Sequence, residues 1–194
     1  MSVAEMAPLM TLEELLALPE DDIERDLFEG RLRERPCAIR TRWQAGASAR
    51  LAHFLEEWAE SLPEPLGQVV SGEAGFRLRR NPDTSVGIDV AFVSAEVIAA
   101  TPAKSPYFEG PPVLAVEILS HSTTHGDMVE KIRAYLDAGV PLVWVVDPDL
   151  HSIVVHRPGA APEMFNIHHE LSGDPHLPGF RVAVARVFGV RPTA

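Results

Sequence analysis

Residues 113–119 read Val-Leu-Ala-Val-Glu-Ile-Leu, an apolar run interrupted by one carboxylate, Glu117. A run this apolar predicts a largely buried strand. A buried carboxylate without a partner costs several kcal/mol or gives up its charge. The fold must therefore bring a cation to Glu117 or turn the residue out of the core. Downstream, Met128, Ile132, Tyr135 and Leu136 fall on one helical face, with Gly139 as the stop signal. Pro-Leu-Val-Trp-Val-Val-Asp then predicts another strand, with Trp144 in the core, and the helix must pack on the sheet these strands build.

The rest of the chain supplies further elements in short succession. Thr11-Leu-Glu-Glu14 fits a capping box opening a short helix that Pro19 closes. IERDLFEGRLRERP predicts a hairpin with Glu29-Gly30 in the turn. Ala47, Leu51, Phe54, Leu55, Trp58 and Leu62 recur at helical spacing and predict a long amphipathic helix from Trp43. GQVVSGEAGFRLRRNPDTSVGIDVAFVS predicts two or three strands, Ser94 a helix cap, and PLVWVVD with SIVVHR a hairpin across PDLH. EMFNIHH and FRVAVARVF are read as final strands. With 194 residues, no internal repeat and no linker-like composition, the expectation is one α/β (α+β) domain, residues 1–194. Its architecture would be a curved mixed sheet flanked by helices, with N- and C-terminal hairpin additions.

Charge and cysteine content narrow the classes of function. The formal net charge of −11 argues against a nonspecific nucleic-acid binder, which carries a basic excess. The arginines are nevertheless uneven, since RLRERPCAIRTR and FRLRR hold eight of them. The single cysteine, Cys37, excludes an intramolecular disulfide and a cysteine-rich zinc site. No apolar run approaches membrane-span length and the start is acidic, so the expectation is a cytoplasmic protein without a membrane span.

Two acids share one setting: Asp89 within IDVAFV and Glu117 within LAVEIL, each inside an apolar strand. On neighbouring strands their carboxylates would converge, and such a pair repels unless a cation lies between. Oxygen ligands of this kind suit magnesium or manganese. Lys131, one helical turn after Asp127, would point toward the strand end if its helix folds back over the sheet. An ammonium there would orient or activate a water, or stabilise charge developing on a phosphate oxygen.

The segments GIDVAFVS, VEILSHST, DMVEKIRAYLDAGV and VWVVDP, in this order, resemble the Uma family of restriction-endonuclease-like proteins in the PD-(D/E)XK nuclease superfamily. RDLFEGRLRERP resembles that family's N-terminal hairpin and LPGFRVAVARVF its C-terminal strand, so the resemblance spans most of the chain. It implies a restriction-endonuclease-like fold and a magnesium- or manganese-dependent DNA endonuclease. Asp89 and Glu117 would be the metal-binding acids, with the Ile118 carbonyl as a further ligand. The superfamily lysine two residues after the glutamate is here Leu119, and Asp127-x-x-x-Lys131 matches the family's displaced lysine. Ile88 stands where the family commonly has proline, Ser120-His121 where it has serine-proline, and Asp26 where it often has glutamate. Glu73 in SGEAGF is a further candidate acid.

Plainer readings stand beside these. Lys131 could simply pair with Asp127 across one turn. His121 and His125 invite a metal or general-base role, but the segment between them is a loop or helix start. Ser122, Thr123 or Thr124 suits a helix cap, and Asp147 in WVVDPD is good turn chemistry. The expected function is magnesium-dependent hydrolysis of DNA phosphodiesters by Asp89, Glu117 and Lys131, with a homodimer as the expected assembly. Two alternatives stay open: a catalytically silent binding or regulatory protein on the same scaffold, and a structural homo-oligomer pairing through the LVWVVDPDLHSIVVHR hairpin.

Overall fold

A computed structural model describes residues 8–19, 21–120 and 123–190. His121 and Ser122, two of the residues considered above, lie outside that range. The chain opens with α1 (Leu12–Leu16), where the Thr11–Glu14 capping box forms as predicted. β1 (Ile23–Phe28) and β2 (Arg31–Pro36) make the predicted hairpin. Glu29 and Gly30 both take positive φ, 50° and 75°, the left-handed pair that a two-residue turn requires.

The long helix α2 (Arg42–Glu60) follows, then β3 (Gly67–Arg79), β4 (Thr84–Ser94) and a short α3 (Ala95–Ala100) capped by Ser94. β5 (Tyr107–Glu109) and β6 (Leu114–Ile118) lead into α4 (His125–Asp137). β7 (Leu142–Asp147), β8 (Ser152–His156) and β9 (Glu163–Asn166) continue the sheet. β10 (Glu170–Ser172), β11 (Arg181–Ala183) and α5 (Val184–Val187) finish the fold.

Nine strands form one mixed sheet, ordered β2-β1-β4-β6-β7-β8-β9, with β3 paired to both β4 and β5. β6 and β7 run parallel because α4 makes the crossover between them. Alternation along β6 sorts its side chains between two cores. Leu114, Val116 and Ile118 join the cluster beneath α2, which includes Leu51, Leu55, Trp144 and Phe180. Ala115 joins Tyr135, Val140 and Val143 on the α4 side. Glu117 is in phase with Ala115 and therefore faces α4 from within the sheet. Complete burial of Leu51 and Leu55 stabilises α2 against the sheet by roughly 1.5–3 kcal/mol each.

Two expectations change. The C-terminal segment is not one strand: only Arg181–Ala183 pairs, with β10, and the chain then turns into α5. Val184, Val187 and Phe188 are all buried at spacings of three and four, so helical periodicity prevails over the β preference of a valine-rich run. The β7–β8 hairpin also lies in the interior of the sheet, between β6 and β9, and has no open edge for pairing between copies.

Candidate active site

Glu117, Asp89 and Lys131 meet at the floor of a cleft of about 400 Å³, and each is about 5 % exposed or less. α4 supplies the partner that the buried glutamate demands. Lys131 Nζ donates to both Glu117 carboxylate oxygens, at 3.1 and 3.0 Å, and to the Gly87 carbonyl at 3.0 Å. The simple pairing of Lys131 with Asp127 does not form. Asp127 instead closes the α4 capping box with Thr124. Tyr135, one turn further along α4, donates its hydroxyl to Glu117 Oε1. Burial pushes the Glu117 carboxyl above its ordinary range; Lys131 opposes that shift and the Asp89 charge reinforces it. For Lys131, burial alone would favour the neutral amine, but Glu117, Asp26 and Glu73 outweigh it and the ammonium is strengthened.

Asp89 is held from two sides. Its Oδ2 accepts the Ile118 N–H at 2.7 Å, tying β4 to the end of β6, and its Oδ1 pairs with the Arg40 guanidinium. Arg40 also pairs with Glu73. Glu73 reaches the cleft through a bulge in β3, where the register slips between Ser71 and Ala74 and both Gly72 and Glu73 take positive φ. Its side chain keeps 36 % of its exposure at the cleft rim, yet surrounding protein and the Asp89 charge push its pKa up to about 8. A fourth acid, Asp26 on β1, is buried in the hairpin wall beside the cleft, with Arg35 at 2.9 Å and the Gly87 N–H at 3.0 Å.

Gly87 organises this arrangement without a side chain. Its N–H serves Asp26, its carbonyl serves Lys131, and a Cβ there would stand 2.8 Å from Glu73 Oε2. On the opposite wall Gln44, buried at the start of α2, donates to the Leu119 carbonyl at 2.9 Å and fixes the chain just past Glu117.

Asp89, Glu117, Lys131, Ile118, Asp26 and Glu73 are thus brought together. His125 begins α4, exposed and away from the cleft lining, and His168-His169 lies in an exposed turn after β9. Asp147 accepts the N–H groups of Asp149 and Leu150, a turn role. Sequence reasoning missed Arg40, Arg35, Tyr135 and Gln44 as site residues. Thr41-x-x-Gln44 is a capping-box signature, and Arg35 lies diagonally across the hairpin from Asp26 in the register, so both left a readable trace. Arg40 sits in an irregular connection and left none.

The donors suit a hard divalent cation: carboxylates of Asp89, Glu117 and Glu73, with the Ile118 backbone at the cleft wall. Among the described residues, however, no three His, Cys, Asp or Glu side chains stand in ready metal-holding geometry, and the acids pair with protein cations, Asp89 and Glu73 with Arg40 and Glu117 with Lys131. The same described residues contain no helix long and apolar enough to cross a membrane.

Comparison with known proteins agrees with this architecture. A solved structure titled as that of a putative nuclease belonging to DUF820, from Anabaena variabilis, is similar over 93 % of this chain and 98 % of that one, with a TM-score of 0.78. Identity is 19 %, so the likeness shows a shared fold. No curated protein matches the chain. The family model named Uma2, described as "Putative restriction endonuclease", matches residues 12–185, and over that span the chain belongs to the Uma2 family.

Proposed function

We propose that this chain is a divalent-cation-dependent endonuclease that hydrolyses DNA phosphodiester bonds. The observation that carries this reading is the convergence of Asp89, Glu117 and Lys131, from two strands and a helix, at the floor of one cleft. Asp89, Glu117 and the Ile118 carbonyl would hold magnesium or manganese. When bound, such an ion supplies Lewis acidity at a phosphoryl oxygen and activates a water.

The protein's own groups do the rest. The Ile118 N–H fixes the Asp89 carboxylate through one oxygen and leaves the other to Arg40. Tyr135 and Lys131 fix Glu117. Lys131 stays an ammonium at neutral pH and is therefore no proton acceptor; its role is positive charge near the phosphate and a fixed orientation for Glu117. Arginines at the cleft rim, Arg35 and Arg40, offer charge to a polyanion that the acidic whole would otherwise repel.

Manganese and magnesium titration calorimetry on the wild type, Asp89→Ala and Glu117→Ala, with plasmid nicking on the same samples, tests the proposal. Binding and nicking that vanish together in both variants support it. A folded wild type that neither binds metal nor nicks DNA sinks it. That outcome would favour the second reading, a silent binding protein on the nuclease scaffold, for which the pairing of Asp89 and Glu73 with Arg40 is the supporting observation.

A further inference from the structure

The connection between β2 and α2, residues 37–41, forms one lip of the cleft. Ala38, Ile39, Arg40 and Thr41 all line it, and Ile39 is 99 % exposed. Arg40 turns inward from this lip, and its two terminal nitrogens take different acids, Asp89 and Glu73. Its side chain remains about one third exposed, whereas that of Asp89 is 5 % exposed.

The two cations of the cleft are mounted differently. Lys131 stands on a regular helix with its ammonium donating to both Glu117 oxygens and to the Gly87 carbonyl. Arg40 stands on irregular backbone, and of its two partners Asp89 is an acid that the proposed metal ion requires while Glu73 lines the same cleft. Two carboxylates this close need positive charge or a shared proton between them, and the chain itself provides a guanidinium. A guanidinium has planar, forked donors that suit phosphate oxygens as well as carboxylates.

We propose that Arg40 is a built-in counter-ion, holding the place between Asp89 and Glu73 until a divalent cation displaces it, and then turning to a phosphate of the nucleic-acid substrate. The inference rests on the metal-dependent reading above. It makes metal and substrate help each other. The ion frees the arginine for the phosphate, the phosphate keeps the arginine off the acids, and the coupling acts equally in both directions.

The test uses the full chain as wild type, Arg40→Ala, Arg40→Lys and, as a control without the site, Asp89→Asn, each confirmed as folded by circular dichroism. Manganese affinity is measured by calorimetry, and binding of a fluorescent duplex oligonucleotide by anisotropy with calcium as a non-hydrolysing ion. The expected signature is opposite in sign. Arg40→Ala binds manganese about tenfold tighter and the oligonucleotide about tenfold more weakly, within the usual range of coupling between sites. Arg40→Lys falls between, because a lysine reaches one acid at a time. Manganese affinity that is unchanged or weaker in Arg40→Ala, with Asp89→Asn still abolishing it, overturns the counter-ion role and leaves the metal site standing. Tighter manganese with unchanged oligonucleotide affinity overturns the phosphate role. No manganese binding by any of the chains overturns both this inference and the metal-dependent reading.

Discussion

Two charge clusters stand on the same pair of strands, β3 and β4, and behave in opposite ways. At one end Arg77, 3 % exposed, binds Asp83, Glu13 and Glu109, with Arg80 also on Glu109. Midway along them, Asp26, Glu73, Asp89 and Glu117 face Arg35, Arg40 and Lys131. Each cluster holds one more acid than base, so charge count does not separate them. Placement does. In the Arg77 cluster only Asp83 is buried among the acids, and it also accepts the Leu12 N–H at 2.8 Å. Burial alone would raise the Asp83 carboxyl; the Leu12 N–H and Arg77 outweigh it and hold it below its ordinary value of 3.8. In the cleft, Asp26, Asp89 and Glu117 are all buried, and Glu117 and Glu73 are pushed upward. One cluster matches its buried acid with a buried base, leaves the other acids toward water and ties α1 to the sheet; the other buries Asp26, Asp89 and Glu117 around Lys131 as the buried base. Excess buried negative charge is a poor way to stabilise a fold and a good way to prepare a cation site.

The same chemical change should therefore have opposite effects in the two clusters. Asp89→Asn is expected to lower nicking roughly a hundredfold or more, the scale of losing a preorganised electrostatic contact, while denaturant midpoints stay level or rise. Asp83→Asn is expected to cost about 3 kcal/mol, the low end for breaking a buried ion pair, with nicking per folded molecule unchanged. Destabilisation by Asp89→Asn as large as that by Asp83→Asn would erase the distinction.

Acid titration sharpens it. Because the Asp83 carboxyl sits lower in the folded chain than in the unfolded one, its stabilisation is full above about pH 4 and disappears as pH falls through the folded value. Urea melts between about pH 5 and 2 should show the wild type losing this share and Asp83→Asn having none to lose. Parallel curves for the two proteins would contradict the assignment.

How much of this was legible in the sequence follows from the same contrast. Glu117 announced itself because a carboxylate in an apolar strand violates the pattern around it, and Lys131 because Asp127-x-x-x-Lys131 matches the pattern of the family the chain resembles. Arg77 looked like one of eight clustered arginines, since the acids it needs lie 64, 6 and 32 residues away in the chain. Arg40 was unreadable because irregular backbone carries no period from which to infer direction. The strand expected at the C-terminus failed for a related reason: valine-rich composition suggested β structure, while the spacing of Val184, Val187 and Phe188 carried the helical signal.

Smaller changes probe how the buried acid is held. Tyr135→Phe removes the hydroxyl on Glu117 and should cost about 1 kcal/mol in chemical melts, with nicking reduced less than by Asp89→Asn. Arg33→Ala removes an exposed pair with Glu130 outside the cleft and should change stability by less than about 1 kcal/mol and activity not at all. An effect of Arg33→Ala comparable to that of Tyr135→Phe would mean that surface charge, not the buried pair, governs this helix.

Gly87 has a wider implication. Three charged side chains from β1, β3 and α4 take their positions from the backbone of one residue and the empty space beside it. Because those references are main-chain atoms, substitutions in the surrounding core can alter packing while the amide and carbonyl remain in place. The layout of the cleft is thus insulated from drift in its neighbours but exposed at a single point: the smallest possible enlargement, Gly87→Ala, would reach Glu73, and with it the group that shares Arg40 with Asp89.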